Sequence, residues 1–523
     1  MINISKKKDC CGCNACGDVC PKHSITFKID KEGFWYPEVE MDTCIDCHLC
    51  EKVCPLLNKE EYKNIDGYVK PKTYALVHKN IEVRFDSTSG GAFTALAEEV
   101  YKQGGFVGGA IYNEDWSVSQ FLSSSKNDLP KLRSSKYLQS HFDGFYKSVK
   151  EALKTEKPVL VCGSPCQMAA MFRYLKKPYE NLIIVDYICR GIASPMYFRK
   201  WINYLENKHN SKVIFYKAKS KELGWRKLST RIEYANGEAD VIAGHDNPWL
   251  MMQYKVPEIC RPSCFECSFK GFPRTSDITM GDLWAKKGSI PQNLDGDLGT
   301  SIVFANNAKG EAFLSRCFKK VEYKEFPFET AVKGNFHLEN AVRHSSYDRE
   351  TFFQDLNESF EECIDKYIPE FNHQQYSVKS KTKNFLKFVW KISSASGWSI
   401  STWRKNLWYN IFSSKVKTSI FKGHYFIIEK NCTIQINSKG RLILDSALYF
   451  GTKKVKGSIL DSRLLIESGG IMRIYGGDYS ISYGADIEVF RNALLEIGGG
   501  VGANIGLTIV CGDKTTIGKN AGC

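Results

Sequence analysis

CCGCNACGDVCP at residues 10–21 and CIDCHLCEKVCP at residues 44–55 carry the same cysteine spacing twice. Cys10, Cys13, Cys16 and Cys20 read C-x2-C-x2-C-x3-C ahead of Pro21, and Cys44, Cys47, Cys50 and Cys54 repeat it ahead of Pro55. Three thiolates two residues apart on a tight loop grip three irons of one cubane. The fourth, next to proline, is held away and reaches the other cluster. The expectation is two 4Fe–4S clusters, one on Cys10, Cys13, Cys16 and Cys54, the other on Cys44, Cys47, Cys50 and Cys20. A pair of zinc sites would need four ligands each and no trailing proline. Cys11 is surplus and reads as a loop residue with no ligand role. Between the runs, ITFKIDKEGFWYPEV (25–39) reads as a β-hairpin with Lys31–Gly33 at its turn.

Outward from these runs, the chain has 523 residues, enough for three or four domains at roughly 100–200 residues each. It is 43% hydrophobic and 25% charged, an ordinary globular balance that excludes wholesale disorder. No run of about 18 uncharged apolar residues occurs, and MINISKKKDCCGC has lysines without an apolar core behind them. The chain therefore reads as cytoplasmic. Lys plus Arg number 72 against 58 Asp plus Glu, leaving +14 and inviting an anionic partner. The twenty cysteines are uneven: nine lie before residue 55, six between 162 and 267, and five elsewhere. In a reducing compartment that distribution speaks for metal ligation or redox chemistry over disulfides.

From residue 67 to about 375, strand-like and helix-like runs alternate, as in a mixed α/β domain. TYALVH (73–78) is a strand, SGGAFTALAEEVYKQG (89–104) a capped amphipathic helix, and FVGGAIY the next strand. The Ser/Gly loop entering that helix suits a phosphate, although the same residues cap ordinary helices. PVLVCGSPCQMAAMFRYL (158–175) is a buried strand running into a helix, with Cys162 and Cys166 around the turn, and LIIVDYICRG (182–191) brings Cys189. Ligands usually bind at the carboxyl edge of such strands. Cys260, Cys264 and Cys267 in CRPSCFECSFK form a three-point grip wanting a fourth ligand, for which Cys162, Cys166 and Cys189 are candidates. A third 4Fe–4S cluster is the preferred reading there; zinc and unliganded thiols are the alternatives. Asp277 and Asp282, in RTSDITMGDLW (274–284), are either polar site residues or turn caps.

The amino-terminal module resembles the two-cluster bacterial ferredoxins. With it, STSGGAFTAL, SSKYLQS (134–140), CGSPCQ, DYICRG and RPSCFECSFKGFPRTSDITMGDLW, in this order, resemble the family of coenzyme F-420 hydrogenase/dehydrogenase beta subunits. They look most like its branch among bacterial polysaccharide-synthesis proteins, over roughly residues 1–375. The resemblance implies an FAD-binding protein that passes electrons between iron–sulfur clusters and a hydride acceptor or donor. Carried over by motif, Ser89, Gly90, Gly91 and Thr94 would meet the flavin phosphates and Lys136 would neutralise one of them. Gly163, Ser164 and Gln167 would lie near the ring. A flavin takes two electrons as hydride and releases them singly, which is the conversion cubanes need. The family often has His after the cysteine of DYIC; this chain has Arg190, which removes the basis for a proton relay there. The hydride acceptor and the catalytic residues do not follow from the sequence.

From Phe371 to Ile428 there is no Asp or Glu, while ten Lys and Arg are interleaved with Trp390, Trp398, Trp403 and Trp408. Basic residues with tryptophans on helices suit an anionic membrane surface; a solvated linker or packing against a neighbouring domain are the alternatives. Peripheral contact with the inner face of the membrane is the localisation this would add. Nucleic acid is not expected, because no supporting motif accompanies the charge. After about residue 426, Gly500, Gly506, Gly512 and Gly518 fall six apart, the last three preceded by Ile505, Cys511 and Ile517. That period predicts a left-handed parallel β-helix, incomplete at Cys523. ALYFGTKKVKGS and SISYGADIEVFRNALLEIGGG resemble hexapeptide-repeat acetyltransferases acting on cell-surface sugars, which use a histidine base. The last histidine is His424, ahead of the coils.

The expected architecture is thus multidomain α+β: a ferredoxin domain at 1–66, an FAD-binding domain at 67–375, a basic connector at 376–425, and a β-helix at 426–523. The expected function is that of an iron–sulfur flavoprotein oxidoreductase in surface-polysaccharide metabolism, with a redox partner and a trimer through the β-helix. Two other readings stand beside it. One is a bifunctional protein or sugar O-acetyltransferase whose catalytic histidine lies beyond Cys523; the other is an electron-transfer subunit without its own substrate.

Overall fold

The computed structural model describes residues 1–60, 67–285, 290–291, 293–295, 297–369, 378–396, 399–452, 461–499, 502–503 and 506–518. They divide into two units, Met1–Pro369 and Glu370–Cys523. Among the described residues, no helix is long and apolar enough to cross a membrane.

In the first unit each cysteine run closes with one short helix, α1 (Ala15–Val19) and α2 (Leu49–Val53). The hairpin of β1 (Ile25–Ile29) and β2 (Trp35–Val39) lies between them in sequence. Its turn places Gly33 at φ +83, a left-handed conformation that glycine adopts without strain.

Nine strands build the main sheet. The first six are β3 (Lys72–His78), β4 (Phe106–Tyr112), β5 (Val118–Ser123), β6 (Ser140–His141), β7 (Val159–Gly163) and β8 (Leu182–Tyr187). A separate antiparallel sheet follows, β9 (Val213–Ser220), β10 (Ser229–Tyr234) and β11 (Ala239–Ile242). Then β12 (Ile278–Asp282), β13 (Ser301–Ala305) and β14 (Val321–Glu325) return to the main sheet. Its order is β14-β3-β13-β12-β8-β7-β4-β5-β6. The central strands β4, β7, β8 and β12 run parallel, so Tyr112, Gly163, Tyr187 and Asp282 all end at one edge. The apolar runs of β7 and β8 suit strands covered on both faces. α3 (Ala92–Lys102) buries Leu96, Ala97 and Val100, and α4 (Pro165–Leu175) buries Met168, Ala169 and Met171.

The cysteine runs belong to the same unit as this sheet. Tyr146 Oη donates to the Cys13 carbonyl at 2.7 Å, and Asp18 accepts from the backbone N–H groups of Gly144 (2.7 Å) and Tyr146 (3.0 Å). These bonds, two of them to a carboxylate, fasten the module to the sheet's flank.

The second unit is built from three parallel ladders, of five, four and four strands, visited in turn by the chain. One ladder pairs Val416 with Leu442, Leu442 with Met472, Met472 with Leu495, and Leu495 with Thr515. Leu464, Ile487, Leu495 and Cys511 are buried in one apolar core. Six-residue stepping appears towards the end of the chain, where strands begin at Gly502, Thr508 and Lys514. Partners within a ladder lie one coil apart, 30 residues between Cys432 and Ser462, 23 between Arg463 and Asp486 and 20 between Leu494 and Lys514, so the coils shorten towards the end. Trp398, Gly500 and Ile505 lie outside the described residues.

Residues 399–425, expected to be connector, pack on the first strand of one ladder. Asn406 and Asn410, four apart in sequence, each make two bonds to the strand Phe426–Ile428. Their Nδ2 groups donate to the carbonyls of Ile428 (2.8 Å) and Phe426 (2.6 Å). Their Oδ1 atoms accept from the N–H groups of the same residues at 2.8 and 2.7 Å. The amides satisfy an edge that would otherwise invite another strand. Trp403 packs against buried Phe388, Ile392 and Tyr425, whereas Trp390 and Trp408 stay exposed.

Candidate redox centre

The sequence repeat is also a backbone repeat. Asn14 and His48, ahead of the two short helices, sit at φ 61 and 57, and Cys20 and Cys54, after them, at φ −69 and −68. Burial pushes the Cys16 thiol well up, and the neighbouring sulfurs of Cys13, Cys10 and Cys54 push it further. Burial, with Cys13 and Cys10 beside it, takes Cys54 up to about 12. Cys54 therefore stands with the first run. Cys20, in turn, lines a cavity with Cys44, Cys47 and Cys50. Backbone N–H groups of Ile2 and Ser24 donate to the sulfurs of Cys50 (3.2 Å) and Cys20 (3.4 Å), the kind of bond that tunes a cluster's potential. In the first set all four sulfurs are buried or half-buried, which makes free thiolates costly. Crowded sulfurs of this kind are a donor set that fits an iron–sulfur cluster.

A second cavity is lined by Cys11, Cys166, Cys189, Cys264 and Cys267, with Arg190, Lys270 and Arg274. Cys260 is buried just behind: a Cβ on Gly191 would lie 3.0 Å from its sulfur. Topology makes this meeting. Cys189 follows the end of β8, Cys166 opens α4, and the C-x3-C-x2-C loop lies beside two single-turn helices, Pro257–Ile259 and Pro262–Cys264. Of the three candidates for a fourth ligand, Cys166 and Cys189 line the cavity. Cys162 does not; it lies at the end of β7, where Asp186 and Lys136 are its charged neighbours. Among the described residues, no group of three or more His, Cys, Asp or Glu is arranged to hold a single metal ion.

Most of the residues expected around a flavin spend their polar atoms inside the protein. The Gly90 N–H donates to Ser301 Oγ at 2.9 Å, and Ser89 Oγ donates to the Thr300 carbonyl at 2.8 Å. Gly91, at φ +95, caps α3, and Thr94 Oγ1 accepts from Arg133 Nε at 3.1 Å. Lys136 Nζ donates to three carbonyls, of Lys131 (2.7 Å), Arg133 (2.8 Å) and Ser134 (3.1 Å). Ser164 and Gln167 form the capping box of α4, and Gln167 Nε2 reaches Ser140 Oγ at 3.0 Å. Gly163 is tight against this box, since a Cβ there would lie 3.0 Å from Gln167 Oε1. Of these motifs, CGSPCQ is a helix cap and Gly91 takes the N-cap position of α3, whereas Ser89, Gly90, Thr94 and Lys136 bond to a neighbouring strand or loop. Asp277 is likewise turned inward, accepting from the Ile184 N–H (2.8 Å) and Asn307 Nδ2 (3.0 Å).

Residues 156–330 match the family model for the carboxyl terminus of the coenzyme F420 hydrogenase/dehydrogenase beta subunit, and residues 9–57 match a 4Fe-4S dicluster domain. An uncharacterized protein of Methanocaldococcus jannaschii is 24% identical over 59% of this chain and 86% of its own length. One of the subunits of the F(420)H(2) dehydrogenase of Methanosarcina mazei is 22% identical over 34% of this chain and 51% of its own. An uncharacterized ferredoxin of M. jannaschii is 35% identical over 10% of this chain and 66% of its own. A chain of the F420-reducing [NiFe] hydrogenase complex from Methanosarcina barkeri overlays with a TM-score of 0.34 at 17% identity, covering 54% of this chain and all of that one. The two family models and the sequence relatives support an iron–sulfur protein of electron transfer, similar to that beta-subunit group and carrying a ferredoxin segment.

The carboxyl edge of the sheet carries a polar and aromatic wall in which Asp282, a candidate polar residue in the sequence, stands with Lys219, Tyr137 and Trp225, which the sequence did not single out. Lys219 Nζ lies 2.8 Å from Asp282 Oδ2 and faces the rings of Tyr137 (5.7 Å) and Trp284 (5.8 Å). Burial works against its charge, but Asp282 and Tyr137 hold the ammonium above the usual lysine range. Trp225 stacks on Trp284 at 4.4 Å, with its buried Nε1 unpartnered. Tyr187, closing β8, keeps 36% of its surface open, while burial of its hydroxyl pushes the pKa well up, with Cys189 and Cys162 beside it. The motif RTSDITMGDLW supplies Asp282 and Trp284, but only the fold brings Lys219 and Trp225 to them.

Proposed function

We propose that this protein is an iron–sulfur flavoprotein oxidoreductase that gathers single electrons on 4Fe–4S clusters and exchanges them in pairs at FAD. The observation that carries the reading is the crossed grouping of Cys54 with Cys10, Cys13 and Cys16, and of Cys20 with Cys44, Cys47 and Cys50. A third cluster on Cys260, Cys264 and Cys267, completed by Cys189, would lie in the same unit beside the carboxyl edge of the sheet. A bound flavin would supply the conversion between hydride and single electrons. The unpartnered Trp225 Nε1 and the exposed face of Tyr187 fit an aromatic ring system better than the self-satisfied Gly90 and Gln167 do. In this reading Lys219, held charged by Asp282, orients an anionic part of the cofactor, and Tyr137 and Trp284 exclude water from it.

The test is anaerobic purification of the full chain with iron, acid-labile sulfide and flavin quantified on one sample. About eight irons with FAD support two cubanes feeding a flavin, and about twelve add the third site. Iron without flavin, after reconstitution with FAD, sinks the oxidoreductase reading. It would leave the second reading, an electron-transfer subunit without its own substrate, which the internal bonding of Gly90, Lys136 and Gln167 favours.

For the second unit, we read the three parallel ladders as a left-handed β-helix of the hexapeptide-repeat kind, able to trimerise through a ladder face. The six-residue stepping at Gly502, Thr508 and Lys514 supports this. The tie to surface polysaccharide rests on the motif order and on this solenoid. Contact with an anionic membrane surface is supported by exposed Trp390, Trp408 and Phe412 among basic residues.

A further inference from the structure

Two neighbouring thiols remain after the clusters have taken their ligands. Cys10, Cys13, Cys16 and Cys54 complete the first set, and Cys189, Cys260, Cys264 and Cys267 supply four sulfurs at the third site. Cys11 and Cys166 are in excess of both. The sulfurs of Cys11 and Cys166 are close neighbours, with Cys13 also beside Cys11. Both belong to one packed cluster with Val161 and Met168, and both line the cavity that holds Cys189, Cys264 and Cys267. Cys11 is buried, with 8% of its surface accessible, while Cys166 is half-buried and faces the open space. Cys166 sits in the first turn of α4, and Ser164 Oγ lies 3.2 Å from its sulfur.

We infer that Cys11 and Cys166 form a dithiol–disulfide couple that stores two electrons between the first cluster and the third, an inference that rests on the cluster reading above. On reduction, two electrons arrive one at a time from reduced 4Fe–4S clusters as the reductant. The Cys11–Cys166 sulfur–sulfur bond breaks, and two protons enter from the cavity to give two thiols. On oxidation the bond reforms, the two protons leave by the same cavity, and the electrons return singly to oxidised clusters. The bond joins a loop that carries cluster ligands to the start of α4. Its state is therefore mechanically as well as electrically tied to both sites.

The experiment uses the full chain, purified anaerobically. Aliquots are poised with dithionite or with a mild oxidant, denatured in N-ethylmaleimide, digested and mapped by mass spectrometry, with iron and sulfide measured on each. The expected result is a peptide pair joined through Cys11 and Cys166 in the oxidised aliquot and both cysteines alkylated in the reduced one, at unchanged iron content. Cys11→Ser should keep its iron and leave Cys166 alkylated at every potential. Both cysteines alkylated in the oxidised, iron-replete protein would overturn the couple. So would a Cys166→Ser protein short of about four irons, which would make Cys166 a ligand. Protein without any iron overturns the cluster reading instead, and the thiol map of that aliquot then decides whether the pair forms by itself.

Discussion

Arg261 Nε donates to the carbonyl oxygen of Cys10 at 2.8 Å, joining the loop of one cysteine site to the backbone of another. The guanidinium is fully buried, donates also to Gln139 Oε1 (2.9 Å) and the Trp35 carbonyl (3.1 Å), and stacks over Tyr36 at 4.1 Å. Its chain neighbour Cys260 belongs to the third cysteine site, so a single side chain sets the register between the two. Arg261→Lys cannot reproduce the planar fork. Losing a hydrogen bond to a charged group costs about 1.5–3 kcal/mol, and chemical denaturation should show a loss of at least that size. An unchanged midpoint would mean that the two sites are held together by other contacts.

The crossed ligand sets proposed above make a paired prediction. Cys54→Ser should remove the cluster of Cys10, Cys13 and Cys16, and Cys20→Ser the cluster of Cys44, Cys47 and Cys50. Each variant should lose about four irons and a different low-temperature paramagnetic signal. Uncrossed sets would exchange the two signals between the variants.

Asp186 and Arg274 form a buried ion pair at 3.0 Å, each side chain 3% exposed, and Thr279 Oγ1 donates to the other carboxylate oxygen at 2.6 Å. Arg274→Met leaves an unpaired buried charge, which costs about 3–5 kcal/mol. Arg274→Met combined with Asp186→Asn should recover part of that loss in the same unfolding measurement. A single variant as stable as the parent would show that this ion pair does not hold the fold together.

His337 is partly buried, and that burial, with Lys270 nearby, lowers its pKa to about 4. Because the folded value lies below the unfolded one of about 6.5, the unfolded chain binds the extra proton first. This contribution to stability is present above pH about 6.5 and is lost as the pH falls toward 4. His337→Gln should flatten that part of the stability–pH curve; an unchanged slope would assign it to other groups.

Exposed Trp390 (63%) and Phe412 (68%) predict binding of the chain to vesicles containing phosphatidylserine, weakened by salt and by Trp390→Glu. Co-sedimentation checks it, with neutral phosphatidylcholine vesicles giving little binding. Equal binding to both lipids would remove the electrostatic part of the idea.

How much is legible in the sequence differs by region. The doubled cysteine runs suggest both the ligands and their crossing, because three residues two apart face one point while the residue before proline is turned away. The parallel core is readable from VLVCG and LIIVDY as apolar runs with turn residues after them. For Cys11 the spacing shows only that it is surplus, and its contact with Cys166 depends on how α4 packs. The glycines and serines of STSGGAF and CGSPCQ are open to two readings in the sequence; in the fold Ser164 and Gln167 form a cap, while Ser89 and Gly90 bond to the strand at Thr300 and Ser301. The connector is legible as basic and aromatic but not as the cover of a strand edge. Asn406 and Asn410 acquire that role only against Phe426–Ile428.

By itself the sequence determined which sulfurs are spaced to bind iron, where the parallel strands run, and the six-residue stepping near the carboxyl end, all set by spacing along the chain. Only the tertiary structure decided that Cys166 and Cys189 line one cavity with Cys264 and Cys267, that Cys162 does not, and that Arg261 ties their loop to Cys10. These meetings depend on the order of strands in one sheet. Residues far apart in sequence come together there through buried packing and hydrogen bonds that no local pattern records.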